Sequence, residues 1–247
     1  MKKLGIIGGL AWPSTIDYYR LLCSKANQHF AQQSASPPYP TPPIVIESLN
    51  ISATRVLRGH DDDPKSWSRF EQVFRDALLR LQASGAELAI IASNTPHMRL
   101  SGICEGLEFP VISILDVTAQ AVVGSGASRA LILGTPVTMY SDAYSRTLTE
   151  LGIEVLPRLP DAEIGRLETL IDEDLYQGKI DSARYWLLDL CRSHVTDTAN
   201  DVVCLACTEL PLAFPEHCDD AFFRVDGIGF VNTSVAHVEA ALAAVLP

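Results

Sequence analysis

Val202-Val203-Cys204-Leu205-Ala206-Cys207-Thr208-Glu209-Leu210-Pro211 is a short apolar run that stops abruptly in a thiol, a hydroxyl and a carboxylate. Leu88-Ala89-Ile90-Ile91-Ala92-Ser93-Asn94-Thr95-Pro96-His97 repeats the design, with Ser93 standing where the other stretch has Cys207. Apolar runs of this length, broken by small polar residues, read as strands buried on both faces of a parallel sheet. Ligands of open α/β sheets bind beyond the carboxyl ends of such strands. Two matching strand ends therefore predict two α/β halves, each contributing chemistry at the end of a strand.

The flanking sequence supports this reading. Leu4–Ile7 is a strand that turns at Gly8-Gly9, and Ser14 and Thr15 are candidate helix caps. Ile16, Tyr19, Cys23, Ala26 and Phe30 follow at helical spacing as an inward face. Residues 36–43 hold five prolines and form a loop. Ile44–Ile46 is a second strand. The polar segment 49–64 ends in the acidic run Asp61-Asp62-Asp63-Pro64, read as a solvated helix start. Trp67–Ala83 is a helix closed by Gly85, Leu88–Ala92 a third strand and Pro110–Ile114 a further one. The plan then restarts. Ala130–Thr135 resembles Leu4–Gly9, Met139–Leu151 is a helix and Ile153–Leu156 a strand. Ile164–Tyr176 and Asp181–Cys191 are helices, and Asp201–Ala206 is the strand that delivers Cys207. Phe222–Val225 is a last strand and Thr233–Val245 a last helix. Strands alternating with helices predict parallel sheets covered on both faces.

Composition bounds the function. The chain has 247 residues, of which 47% are hydrophobic and 20% charged, with 15 Gly and 15 Pro, an ordinary α/β composition. The formal net charge of −11 argues against nucleic acid as a partner, because phosphate contacts need clustered Lys and Arg. An anionic substrate would need local cations or backbone N–H groups. No apolar stretch approaches a membrane span, and the start of the chain reads as a strand rather than a signal peptide. The six cysteines (23, 104, 191, 204, 207, 218) are too dispersed for a disulfide framework, so a cytoplasmic location is expected.

Cys207 carries the most chemistry. A thiolate can take or return a proton or attack an electrophile, and a following helical turn or a cation would lower its pKa. Cys204 forms a Cys-x-x-Cys pair with it, but without a second pair the zinc reading is weak; within a strand the two side chains point to opposite faces, which makes Cys204 a core residue. Ser93 needs an adjacent base to carry a proton. His97 is the nearest, either as that helper, as a substrate ligand, or as a residue that only packs. Asn94, Thr95, Thr135, Thr138 and Thr208 are neutral hydrogen-bonding groups at predicted strand ends that together could hold an α-carboxylate and an α-amino group; each alone is an ordinary turn residue. Neither Gly8-Gly9 nor Gly134-Thr135 extends to a nucleotide-binding motif. No lysine matching pyridoxal phosphate chemistry stands out. The expected site has no organic cofactor and no metal.

Gly8–Thr15, Ser93–His97, Gly134–Met139 and Ala206–Pro211 together resemble the cofactor-independent aspartate/glutamate racemase superfamily, along nearly the whole chain. The Cys-Thr-Glu form at 207–209, in place of Cys-Thr-His, is similar to the aspartate racemase branch. The resemblance implies two similar doubly wound parallel-sheet α/β domains related by a pseudo-twofold, with the active site in the cleft between them. The domains are expected at 1–115 plus 226–247 and at 116–225. It implies an isomerase that racemises aspartate or glutamate by two bases, one removing the Cα proton and the other reprotonating the opposite face. Cys207 matches the second family cysteine, and Ser93 stands where the first is usual, which implies a preference for one direction. By the same resemblance Trp12 lines the pocket, and Glu209 supports the thiol or the substrate ammonium. Lys179, in a segment (176–180) like the family's, meets the side-chain carboxylate, with Arg55 or Arg58 as alternatives. The implied assembly is a homodimer. Two other readings stay open: a single-cysteine decarboxylase or isomerase of a small dicarboxylic acid, and an amino-acid-binding homologue that has lost catalysis.

Overall fold

The computed structural model describes residues 1–33, 36–60, 63–175, 177 and 179–247. Asp61 and Asp62 of the acidic run, and Tyr176 and Gly178, lie outside the described residues. These residues form two compact units, 1–113 with 237–247, and 114–236.

In the first unit, β1 (Leu4–Gly8) lies between β2 (Ile44–Ser48) and β3 (Leu88–Ile91), all parallel. The apolar run of β1 is wholly buried. Pro110–Ile114 was expected as a full strand. It makes one parallel bridge, Val111 to Ala89, flanked by the Ala89 N–H to Pro110 and Ile112 N–H to Ala89 carbonyl bonds. The chain leaves this bridge directly into a helix that starts at Ile114, so the extended segment has no room to lengthen.

Helix α1 (Trp12–Gln32) is entered through Ala11 and Pro13, with no side-chain cap. The Thr15 hydroxyl instead accepts the Gly9 N–H at 2.9 Å, so Thr15 serves the β1 turn rather than the helix end. The expected inward face is also rotated. Tyr18, Leu21, Leu22 and Ala26 are buried, whereas Ile16 and Tyr19 are 56% and 50% exposed. The buried stripe starts at Ser14 and not at Ile16. Segment 49–64 contains the short helix α2 (Ile51–Arg55), capped by Asn50, whose carboxamide oxygen accepts the Ser52 N–H at 2.9 Å. Helix α3 (Ser68–Ala83) buries Phe70, Phe74, Ala77, Leu78 and Leu81 and stops at Gly85, whose φ of +84° suits glycine. Beyond β3 come a 3₁₀ turn, Thr95–Arg99, and α4 (Leu100–Cys104).

The second unit begins with α5 (Ile114–Gly124) and holds a five-stranded sheet in the order β5-β4-β6-β8-β7. These are β4 (Arg129–Leu133), β5 (Glu154–Val155), β6 (Asp201–Leu205), β7 (Phe222–Val225) and β8 (Ile228–Asn232). All pairs are parallel except the β7–β8 hairpin. The single helix expected from Met139 to Leu151 is two, α6 (Pro136–Tyr140) and α7 (Ala143–Glu150). Helix α8 (Asp161–Thr169) runs into a π-helical turn, Leu170–Leu175, and α9 (Ile180–His194) follows.

Strand β8 was not foreseen. Its pairing with β6 places 226–236 in the second unit, where the expected boundary had put them in the first. The division falls within α10 (Thr233–Val245). With β8 in place, the two units follow one plan. The first strand is central, the second lies on one side, the third on the other, and a fourth extended segment runs beside the third and leads into a helix. That fourth segment is the Val111 bridge in one unit and β8 in the other.

The core of the second unit splits over the two faces of its sheet. Leu131, Val203, Leu205 and Phe230 pack with the α8–α9 side, while Ala130, Val202, Cys204 and Val231 pack with Ala119, Val122 and Leu148. All six cysteines are free thiols. Among the described residues no helix is long and apolar enough to cross a membrane.

Candidate active site

Parallel strands finish together, so each sheet gathers its strand ends on one edge. In the second unit, Leu133 of β4, Leu205 of β6 and Asn232 of β8 stand in register. The residues that follow them are Gly134-Thr135, Ala206-Cys207-Thr208-Glu209 and Thr233-Ser234. The strands approach closely here: a Cβ on Gly134 would lie 2.9 Å from the Ala206 carbonyl oxygen. Glycine is therefore what lets β4 exit beside the Cys207 turn.

Three of the predicted residues are joined directly. The Cys207 thiol donates to Oε2 of Glu209 at 3.0 Å, and the Thr208 hydroxyl donates to the same oxygen at 2.9 Å. Cys207 and Glu209 are each 7% exposed. Burial, then the adjacent Glu209 charge and its hydrogen bond, with a smaller contribution from Asp172 of the π-helical turn, push the Cys207 pKa well above the ordinary thiol range. The thiol is accordingly held protonated, as a proton donor in waiting. This reverses the expectation that a helical turn would lower its pKa: the turn Leu210–Ala213 is a short 3₁₀ segment, and burial, with the adjacent Glu209 carboxylate, outweighs it. Cys204 is wholly buried on the other side of the sheet, its pKa raised to about 12 by burial alone.

Thr135 and Thr138 also meet, their hydroxyls 3.3 Å apart, across the turn that starts α6. The Thr135 carbonyl accepts the N–H groups of Thr138 and Met139, which fixes that turn to the end of β4. The end of β8 was missed by sequence reasoning. There the Thr233 hydroxyl donates to the Leu205 carbonyl at 2.9 Å, and Asn232 Oδ1 accepts the Val235 N–H at 3.3 Å, tying β8 to the strand that carries Cys207. The signal was present in Ile228-Gly229-Phe230-Val231-Asn232-Thr233-Ser234, an apolar run breaking into small polar residues like the other two.

In the first unit, Gly8 and Ser48 are in register at the ends of β1 and β2, and Ala92-Ser93-Asn94-Thr95 leaves β3. Asn94 and Thr95 are each 5% exposed. The Ser93 N–H bonds back to the Ile91 carbonyl at 2.8 Å. His97 does not stand ready as a base or a substrate ligand. It is 2% exposed, its Nε2 lies 3.1 Å from the Ile91 carbonyl oxygen, and its ring packs edge-on against His237. Trp12 is 61% exposed at the start of α1. Lys179 precedes α9 and its ammonium lies 3.4 Å from Asp174; its side chain is more than half exposed. Among the described residues no group of three or more His, Cys, Asp or Glu is placed to hold a metal ion.

Comparison with known proteins identifies the family and the fold. The chain is similar to the crystal structure of an aspartate racemase homologue from Pyrococcus horikoshii OT3, with 28% identity, 99% of both chains covered and a TM-score of 0.77. It is 28% identical over 130 residues to the glutamate racemase of Syntrophus aciditrophicus (strain SB), covering 51% of this chain and 46% of that protein. It is 26% identical over 95 residues to the broad specificity amino-acid racemase RacX of Bacillus subtilis (strain 168), covering 38% of this chain and 41% of that protein. The matched region thus spans less than half the length of these curated relatives. Residues 7–241 match the model of the Asp/Glu/hydantoin racemase family, and with its thiol–carboxylate pair at the end of the third strand of the second sheet, the chain belongs to that family.

Proposed function

We propose that this protein is a cofactor-independent amino-acid racemase acting on aspartate or glutamate, with Cys207 as the acid–base group on one face of Cα and Ser93 serving the other. One observation carries the reading: a buried thiol and a partly buried hydroxyl donate to a single oxygen of the buried Glu209. A thiol held protonated beside a carboxylate is prepared to return a proton to a carbanion. To remove one it must first ionise, and an α-ammonium group brought near Glu209 would offset the carboxylate charge and ease that ionisation. Thr208, Thr135 and Thr138 supply hydroxyl donors for the developing negative charge. Asn94 and Thr95 serve in the same way beside Ser93. Trp12 lines the substrate site and Lys179 meets the side-chain carboxylate. Ser93 has no thiol acidity, so the face it serves works through a hydroxyl or a water, and the two directions run at unequal rates. The enzyme works as a homodimer in the cytoplasm.

The test is deuterium uptake at Cα in D₂O, followed by NMR with L- and D-aspartate and L- and D-glutamate incubated separately. Exchange with inversion for one pair supports the proposal and names the substrate. Exchange confined to one enantiomer assigns Cys207 to that face and makes the Ser93 side the slow half. Absence of exchange with all four overturns the racemase reading. Because a hydroxyl at 93 also suits one-sided protonation, release of carbon dioxide from a malonate-type acid would then assign Cys207 to a decarboxylase.

A further inference from the structure

The turn that carries Ser93 closes on a buried pair of histidines for which proton transfer at Cα has no direct use. The carbonyl oxygen of Ile91, the last residue of β3, accepts two hydrogen bonds, from the Ser93 N–H at 2.8 Å and from His97 Nε2 at 3.1 Å. A carbonyl only accepts, so the His97 proton sits on Nε2 and is committed there. The His97 ring stands edge-on to His237, with centroids 5.2 Å apart and planes at 82°. His237 is itself fixed on both nitrogens. Its Nε2 donates to the Ile112 carbonyl at 3.0 Å, and its Nδ1 accepts the Tyr18 hydroxyl at 3.0 Å. The two rings are 2% and 0% exposed. Burial pushes their pKa values down to about 4 for His97 and about 3 for His237, so both are neutral at pH 7.

This chain of contacts joins α1 through Tyr18, α10 through His237, the extended segment through Ile112 and the strand end through Ile91. All four lie in the first unit. Ser93 itself is held to β3 by one backbone bond, and His97 is the side chain that closes the turn from its far end onto the same acceptor. Backbone bonds from the Ala92 N–H to the Ile7 carbonyl at 2.9 Å and from the His97 N–H to the Asn94 carbonyl at 3.0 Å shape the same turn. The His97 ring adds a side-chain donor that ties the far end of the turn back to the end of β3.

We propose that His97 is a positioning residue for Ser93: it clamps the 92–97 turn onto the end of β3, and His237 with Tyr18 holds its ring in place. The inference rests on the racemase reading for its catalytic consequence, though not for its structural one. His97 touches neither substrate nor the reacting proton. The Ile91 bond uses the Nε2 proton, and Gln at this position can present an amide N–H in nearly the same place, whereas Leu fills the space without a donor.

The test compares His97→Leu and His97→Gln by amide hydrogen exchange of the peptide spanning 92–99 and by Cα deuterium exchange. His97→Leu is expected to speed amide exchange in this peptide by about tenfold or more, and to leave the Cys207 peptide unchanged. It is expected to lower kcat by roughly tenfold to a hundredfold in both directions with KM within about twofold, since each inversion uses both faces of Cα and misplacement of a reacting group acts in this way. His97→Gln restores both readouts. Unchanged protection of 92–99 in His97→Leu, or a Gln variant no better than Leu, overturns the proposal. Loss of protection throughout the first unit also overturns it, since that is a folding defect alone. If the wild type moves no Cα hydrogen, the racemase reading falls while the amide exchange still decides whether His97 holds the turn. Should His97→Leu fail to fold, Tyr18→Phe removes the anchor of His237, and faster exchange confined to 92–99 supports the clamp; no change there rejects it.

Discussion

The thiol of Cys207 lies 3.0 Å from Oε2 of Glu209, two residues further along the same turn. This pair sets the resting protonation of the site. Burial is the largest cause of the raised thiol pKa and the Glu209 charge the next. Glu209→Gln removes the charge and keeps a hydrogen-bonding group of the same shape. The thiolate is then expected at lower pH than in the wild type, still above the ordinary thiol range because burial remains. Alkylation of Cys207 by iodoacetamide as a function of pH, read by mass spectrometry of its peptide, measures this. An unshifted profile would show that Glu209 does not govern the thiol.

Cys207→Ser is expected to lower the rate of Cα exchange by about 10²–10⁴, the usual range for a positioned acid–base group, with little effect on stability. Cys204→Ala is the control three residues away. It lies in the packed layer with Ala119, Val122 and Val231, so its loss is expected to cost about 1 kcal/mol of stability and to leave exchange within about twofold of wild type. Equal activity losses in the two variants would remove the distinction between the two sides of the sheet.

If Ser93 serves one face of Cα, as proposed, Ser93→Cys supplies a group there that can ionise at accessible pH. At saturating substrate the kcat of the slow direction is expected to rise by about tenfold or more, with its KM rising in step, because enantiomers have an equilibrium constant of one and kcat/KM stays equal in the two directions. Separate initial rates from each enantiomer, by polarimetry or chiral chromatography, give the ratio directly. If the ratio of the two directions stays at its wild-type value, Ser93 is not what makes them unequal.

Much of this was legible in the chain because strand ends in parallel sheets leave a local mark. An apolar run of four or five residues that stops at small polar groups is readable without any long-range information, and Ser93, Thr135 and Cys207 were located that way. What escaped depended on tertiary context. The face of α1 is set by what β1 and α10 offer it, and Tyr18 is drawn inward by His237 although Tyr19 is equally apolar. The packing of His97 against His237 is not legible because nothing in the sequence links two residues 140 positions apart. Strand β8 was hidden by the tight Asp226-Gly227 hairpin, both residues at positive φ, which compresses two strands into the space of one. The raised pKa of Cys207 followed from the inward turn of Glu209, a direction that spacing alone does not give.

Gly9 tests the β1 turn. Its φ is +78°, and a Cβ there would run into the Leu49 carbonyl oxygen. Gly85 has the similar φ of +84°, but a Cβ there would meet nothing nearer than Lys3 Nζ at 3.7 Å. Gly85→Ala is therefore expected to cost only the left-handed strain, about 1–2 kcal/mol. Gly9→Ala adds a backbone clash and is expected to cost more, about 2–4 kcal/mol. Urea unfolding of the two variants separates strain from clash, and equal costs would mean that the turn opens without resistance.

The buried histidines give the protein a defined acid limit. Each has a folded pKa depressed below the ordinary value of about 6.5, to about 4 for His97 and about 3 for His237. The unfolded chain therefore binds more protons than the folded one below pH 6.5, and stability must rise with pH in that window. The stabilisation is complete above pH 6.5. It is lost as pH falls towards the folded values, with a slope of up to about 1.4 kcal/mol per pH unit for each ring once the unfolded histidines are protonated. Unfolding by urea at pH 7, 6, 5.5 and 5 keeps clear of most carboxylate titration. Wild type is expected to lose stability progressively over this series, and His97→Gln to lose about half as much. A wild-type stability that is flat from pH 7 to 5 would mean that the two rings accept protons where they stand.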